Sequence, residues 1–376
     1  MAYFLYALIL LVFIILVILT LWKLESKIPS FFSVLKKNNG TINSSINDWL
    51  NLLAKKRKIN GIYYILYDKG EVLVKNGFRT FETNKKIDEN TSFRLASVSK
   101  QFTAFAIMLL IKQKKISYET TVKQIIKEFP NSKVTIRHLL NQTSGITVDY
   151  ISLAKKHKKQ ENYILSISDA TKLICEHTDK DIMPLVFFQY NNSNYILLAK
   201  IIEFVSKLSF EHFMKINVFD KLKLNQTFVW NLLSKEDINL KNNTARGLEA
   251  YLKSKPIEIK PSWIDGVAGD GAIFSSINDL KKWLSIWNEN ELLSKNELKE
   301  AFQKPILIDG SESNYGFGWV IEENYIWHNG KWLANNSLII KSISNHKILI
   351  ALDNSTNIRF NKITKILTQI IFKNDK

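Results

Sequence analysis

Residues 2–22 carry no charged side chain, and this run constrains what the chain can fold into more than any other feature. It reads Ala-Tyr-Phe-Leu-Tyr-Ala-Leu-Ile-Leu-Leu-Val-Phe-Ile-Ile-Leu-Val-Ile-Leu-Thr-Leu-Trp. At a rise of roughly 1.5 Å per residue, a helix of this length spans a hydrocarbon core of about 30 Å. Trp22 and then Lys23 sit where an interfacial anchor is expected. A cleaved leader fits poorly, because no basic stretch precedes the run and no small-x-small site follows it. There is no lipobox cysteine either. The expectation is a single-pass signal anchor over 1–22, a polar linker over 23–45, and a globular part from 46 to 376.

Orientation carries two opposed arguments. Lys23, Lys27, Lys36 and Lys37 all follow the span, which by the charge rule keeps the remainder in the cytosol. The chemistry read below points to the extracytoplasmic side.

With 376 residues, the chain has room for one large domain or two small ones, and its 46% hydrophobic content is ample for a core. The net charge of +17 comes from 52 Lys+Arg against 35 Asp+Glu. Arginine is scarce and no recognition motif appears, so nucleic acid is not expected as a partner. Lys155-Lys156-His157-Lys158-Lys159 reads as a solvated face. The single cysteine, Cys175, excludes an internal disulfide, and the six histidines show no ligand spacing. No metal and no cofactor is expected.

Chemistry concentrates in Phe93-Arg94-Leu95-Ala96-Ser97-Val98-Ser99-Lys100, just before an apolar helical run from Phe102 to Ile111. Positions i and i+3 share a helix face, so Ser97 Oγ and Lys100 Nζ can meet. A serine hydroxyl is a poor nucleophile until a neighbour takes its proton, and a lysine in a partly dry pocket suits that task. The helix N-terminus also places backbone N–H groups where an oxyanion would form. Alone, Ser-x-x-Lys also describes many surface serines beside solvated lysines. Its weight comes from two further constellations.

The first is Tyr190-Asn191-Asn192, ahead of a helix beginning near Ser193. In an extended stretch Tyr190 and Asn192 face the same way; a phenol can relay a proton and a carboxamide can bond a carbonyl. The second is Trp327-His328-Asn329-Gly330 on a strand, where a glycine lets a substrate backbone approach the edge.

Ser-x-x-Lys, Tyr-x-Asn and His-x-Gly, in that order, resemble the signature of the penicillin-recognising serine hydrolases. The branch it is most similar to is that of class C β-lactamases, D-alanyl-D-alanine carboxypeptidases and related esterases. Thr135–Gly145, Gly269-Asp270-Gly271 with Asp279-Leu280, and Tyr315-Gly316-Phe317-Gly318-Trp319 match further stretches of that pattern. The resemblance runs over roughly residues 45–370.

Local patterning agrees with it. Asp48–Lys58 has helical spacing, and Gly61–Tyr67 with Glu71–Lys75 reads as a hairpin turning at Asp68-Lys69-Gly70. Ser276 and Asp279 form a capping box for a helix through Trp287. Strands are expected at Gly318–Glu322, Ser337–Lys341 and Lys347–Asp353, then an amphipathic helix from Asn361 to Phe372. The fold expected is α/β (α+β): an antiparallel sheet flanked by helices, plus an all-helical lobe within about 100–265, β-lactamase/transpeptidase-like as the resemblance implies.

The resemblance also implies roles. Ser97 forms an acyl-enzyme, Lys100 and Tyr190 share the acid–base work, and Asn192 orients the substrate. The backbone of Lys331 joins that of Ser97 at the oxyanion, and His328 and Gly330 line the binding strand. Two departures matter. His328 stands where the pattern has lysine, which argues against an efficient β-lactamase and toward a peptidase, esterase or amide hydrolase. Lys331 follows the glycine where a small residue is usual; its side chain either supplies the missing cation or faces solvent. The substrate expected is a small molecule or peptide, with cell-wall peptide in view. The alternative is a tethered binding protein that keeps the fold without turnover.

Overall fold

The computed structural model describes residues 2–25, 27–67, 70–80, 85–156, 162–236, 238, 243–249, 256–344 and 346–372. Asp68 and Lys69 of the expected turn, and His157–Lys159 of the lysine run, lie outside the described residues.

The first helix, α1 (Ala2–Glu25), is apolar, and its described side chains, from Phe4 to Thr20, are exposed. Among the described residues, no helix is long and apolar enough to cross a membrane.

The segment expected to be a plain linker contains a helix, α2 (Phe31–Lys37). Its reason is tertiary. Phe31 packs edge-on against Trp49 of α3 (Ile42–Lys55) at 5.7 Å, and the Trp49 indole donates to the Pro29 carbonyl at 2.8 Å. Burying one such phenylalanine contributes about 2 kcal/mol, part of what holds a seven-residue helix that propensity alone would not form.

Aromatic and β-branched residues form β1 (Gly61–Tyr67), which pairs with β2 (Gly70–Asn76) as the expected hairpin. Near the C-terminus follow β3 (Val320–Ile321), β4 (Tyr325–Trp332), β5 (Asn335–Ser342) and β6 (Ile348–Asp353). All pairs are antiparallel, and the order β2-β1-β6-β5-β4-β3 places the N-terminal hairpin beside the C-terminal strands. Alternation sends Ile62, Tyr64, Ile339 and Leu352 into the core shared with the helical lobe. It sends Tyr63, Ile65, Ile340 and Ala351 into a second core beneath α2, α3 and the final helix (Phe360–Phe372). Both faces of β5 and β6 are covered; β6 accordingly reads as a nearly unbroken apolar run, whereas β5 is apolar only over Leu338–Ile340.

The lobe between the hairpin and the late strands is built on α4 (Ser99–Lys112) and α5 (Asn192–Ser206), both largely buried. It is not purely helical. Phe93–Arg94, Ile273–Ser275 and Phe228–Val229 form a small antiparallel sheet, and Leu248–Glu249 pairs with Ile257–Glu258. Ser276 caps the helix Ile277–Ile286 by accepting from Asp279 N–H. The Asp279 carboxylate does not reciprocate as expected; it takes the Thr227 hydroxyl and the Gln226 N–H instead, tying two layers together.

The β4–β5 hairpin turns at Leu333 and Ala334, whose φ values are +46° and +56°. A two-residue turn of this hand requires left-handed backbone at both positions, and this chain uses no glycine there. Ala334→Gly is therefore expected to stabilise the protein by about 0.5–1 kcal/mol, the strain relieved exceeding the added freedom of the unfolded chain. Leu333→Val should destabilise by a similar amount, and urea unfolding of the two variants checks both signs.

Candidate active site

Leu95 leads into a single 3-10 turn, Ala96–Val98, that runs directly into α4. Ala96 has φ +47°, a conformation costly for a residue with a Cβ, and it lifts Ser97 into the cleft between sheet and lobe. Ser97 is partly buried and Lys100 is fully so. The Lys100 ammonium donates to Ser97 Oγ at 3.1 Å, to Asn192 Oδ1 at 2.9 Å and to the Asp270 carbonyl oxygen at 3.0 Å. Three acceptors match its three N–H groups, so this buried charge is fully hydrogen-bonded.

Two tyrosine rings flank the same nitrogen. Lys100 Nζ lies 5.0 Å from the Tyr190 ring centroid and 5.6 Å from that of Tyr195. Tyr190 thus meets the amine with its ring face, and no hydrogen bond of its hydroxyl is found among the described residues. Asn191 caps α5 by accepting from Ser193 N–H, which leaves Asn192, the first helical residue, free to face Lys100. The turn after His138 supports this arrangement from behind. Gln142 Oε1 accepts from Asn191 N–H at 2.9 Å and from the Asn194 amide, while Ser144 donates to Asn194 Oδ1 at 2.7 Å. His138 itself closes a capping box with Thr135.

His328 is buried, and its ring is held within the protein. Nδ1 donates to the Asn329 carbonyl at 2.6 Å, which leaves Nε2 to accept from the Tyr315 hydroxyl at 2.9 Å. Burial, with the nearby Lys100 charge adding to it, pushes its pKa down to about 3, so the ring is neutral. Neither nitrogen is available to a substrate carboxylate in this arrangement, so the contact expected of His328 with substrate is replaced by one with Tyr315. Gly330 differs from expectation in a related way. A Cβ there would lie 2.2 Å from the Leu95 carbonyl oxygen and 2.8 Å from Ser97 N, so the glycine lets β4 close onto the nucleophile turn. The Lys331 side chain is exposed at the mouth of a cavity of about 190 Å³ that opens on Ser97.

Sequence reasoning missed several groups here. The Asp270 carbonyl that holds Lys100 sits in the Gly269-Asp270-Gly271 turn, but a backbone acceptor leaves no mark on residue type. Tyr195 and Tyr315, fully buried around Lys100 and His328, read in sequence as ordinary core aromatics. Cys175 is buried, and burial pushes its thiol up to about 12, which leaves it unreactive. Among the described residues, no cluster of potential metal ligands is present.

A serine bonded to a buried, fully satisfied lysine, with a carboxamide on the same amine, defines a serine-hydrolase type of site. Residues 46–352 match the beta-lactamase family model. The chain is 31% identical over 318 residues to penicillin-binding protein 4* of Bacillus subtilis (strain 168), covering 80% of this chain and 69% of that protein. It is 25% identical over 331 residues to protein flp of Staphylococcus aureus (strain MRSA252), covering 84% of this chain and 64% of the relative. Among solved structures, the penicillin-binding protein from Bacillus halodurans superposes with a TM-score of 0.72 at 20% identity, over 85% of this chain and 98% of that one. The D-amino acid amidase from Ochrobactrum anthropi SV3 does so with 0.71 at 18%, over 89% and 99%. The chain belongs to the beta-lactamase family and is a serine hydrolase of that type.

The depressed pKa of His328 has a stability consequence. Its ring is neutral in the folded protein down to about pH 3 but takes a proton near pH 6.5 when unfolded. Folding stability attributable to this group is therefore intact above about 6.5 and falls as pH drops toward 3, by up to about 1.4 kcal/mol per pH unit. Urea midpoints measured from pH 7 to pH 4 should fall more steeply for the wild-type protein than for His328→Gln.

Proposed function

We propose that this protein is a membrane-tethered acyl hydrolase in which Ser97 is the nucleophile and Lys100 its general base. The observation that carries this reading is the 3.1 Å contact between the fully buried Lys100 Nζ and Ser97 Oγ, which is partly open to the cleft. In the reacting form Lys100 is the neutral amine with its lone pair toward Ser97; as Ser97 Oγ bonds the substrate carbonyl carbon, its proton passes to Lys100 Nζ, which becomes the ammonium. The tetrahedral oxyanion is met by backbone N–H groups of Ser97 and Lys331; one such donor is worth on the order of a hundredfold in rate. Collapse expels the leaving group, which takes a proton from Lys100 or, by relay, from Tyr190. Water then attacks the acyl-enzyme with the same groups in reverse roles. Asn192 holds Lys100 with its carbonyl oxygen and keeps its amide N–H groups for the substrate carbonyl.

The substrate class in this proposal is a peptide, amide or ester rather than a β-lactam turned over efficiently. The neutral, internally bonded His328 supports this, because it offers no fixed cation to a substrate carboxylate. The hydrolase domain begins at or before α3 (Ile42–Lys55), with α2 packed onto its sheet. The charge-free run of residues 2–22 tethers it, with the domain outside the cell near wall peptides, despite the lysines that follow the run.

Treatment with a fluorophosphonate and with a fluorescent penicillin, followed by peptide mass spectrometry, tests the site. One adduct on Ser97 is expected, absent in Ser97→Ala; no adduct with either probe leaves a binding protein without turnover. For the tether, the full chain should stay with membranes through alkaline carbonate washing, whereas a chain lacking residues 1–30 should be released. Equal release of both would end that part of the proposal.

A further inference from the structure

The cavity that opens on Ser97 is lined on its far side by charged groups that the mechanism above does not use: Arg94, Asp265 and Asp270, with Tyr150. All are nine-tenths or more buried. Asp265 is fully engaged. Its Oδ1 faces the Arg94 guanidinium at 3.6 Å and accepts from the Trp332 indole, and its Oδ2 accepts from Ser262 N–H at 2.7 Å. That pair cancels its own charge.

Asp270 is different. The Tyr150 hydroxyl donates to its Oδ2 at 3.1 Å, but among the described residues no cationic nitrogen pairs with its carboxylate. Lys100, the closest in role, bonds the Asp270 carbonyl oxygen instead and spends its remaining N–H groups on Ser97 and Asn192. Burial raises the Asp270 pKa, with Lys100 and Tyr150 opposing the shift. Attack by Ser97 requires Lys100 in its neutral form. In that state the charge facing Asp270 from the lining is the Arg94 guanidinium, which acts on it through space but makes its ion pair with Asp265, while Asp149 adds a like charge. A buried carboxylate without an ion-pair partner is costly, and a ligand cation seated beside it recovers much of that cost.

We infer that Asp270 and Tyr150 form a subsite for an ammonium group of the substrate, so that the preferred acyl group is a compact aminoacyl unit with a free amine close to the scissile carbonyl. This rests on the reading of Ser97 as nucleophile. The cavity volume of about 190 Å³ suits a small amino-acid residue and not a long acyl chain. Asn192, at the boundary between Ser97 and the cavity, takes the carbonyl side of the same unit. An N-acylated substrate would bring a neutral amide against the Asp270 carboxylate and forfeit the charge pairing.

The test measures protection of Ser97 in the full-length protein against a fluorophosphonate at pH 7. The protecting ligands are alaninamide, N-acetylalaninamide and lactamide, which share a carbonyl but differ in the charge beside it. Alaninamide is expected to protect at a concentration at least tenfold below the other two, and Asp270→Asn should bring the three within about threefold. Equal protection by all three ligands in the wild-type protein overturns the subsite without recourse to any variant. A full alaninamide preference that persists in Asp270→Asn overturns it as well. If Ser97 takes no fluorophosphonate at all, the nucleophile reading fails first and the subsite falls with it, an outcome distinct from labelling without discrimination.

Discussion

The arrangement depends on one amine with no exposure to solvent. Lys100 is fully buried, and burying an unsatisfied ammonium would cost several kcal/mol or more. It is tolerated because Ser97, Asn192 and the Asp270 carbonyl supply its three acceptors. Those acceptors come from three separate parts of the chain: the turn before α4, the start of α5, and the Gly269–Gly271 turn. Satisfying Lys100 and assembling the site are therefore one event. The lobe cannot close on the sheet correctly without placing the nucleophile, the amide and the base within bonding distance of each other.

The surrounding structure keeps that point fixed. Gly330 lets β4 approach the Ser97 turn closely enough to forbid any side chain, and the Ser337 hydroxyl donates to the Leu95 carbonyl at 2.6 Å from the neighbouring strand. Gly269, at φ +113°, lies against Ala199 and the Tyr195 carbonyl, which fixes the turn whose next carbonyl receives Lys100. Thr103 bonds the Gly269 carbonyl at 2.6 Å from α4 itself. Small residues, backbone groups and hydroxyls thus set the position of a cation that, among the described residues, no carboxylate pairs.

Much of this was readable in the chain because side-chain chemistry and spacing carry it. Ser97 and Lys100 are one helical turn apart, and Asn192 precedes a strong helical run, so their meeting follows from geometry. The hairpin at β1–β2 and the final helix follow from periodicity. What was not readable has a common cause: it depends on partners distant in sequence or on backbone atoms. Residues 31–37 look like linker until Trp49 offers Phe31 a place to pack. His328 looks like a substrate contact until Tyr315 takes its second nitrogen. Asp270 looks like turn composition until its carbonyl meets Lys100 and its carboxylate meets a cavity. The short strands in and beside the lobe were missed because two residues show no periodicity, and Phe93–Arg94 and Phe228–Val229 both pair with the distant Ile273–Ser275.

The central claim is that Lys100 acts on Ser97 as a base rather than as a structural cation. The rate at which a fluorophosphonate modifies Ser97 measures this directly, with Lys100→Met compared against the wild-type protein and folding checked by thermal unfolding. A drop of about a hundredfold to ten-thousandfold with the folded state retained is the result this account predicts. A folded Lys100→Met protein that is modified at the wild-type rate would contradict it.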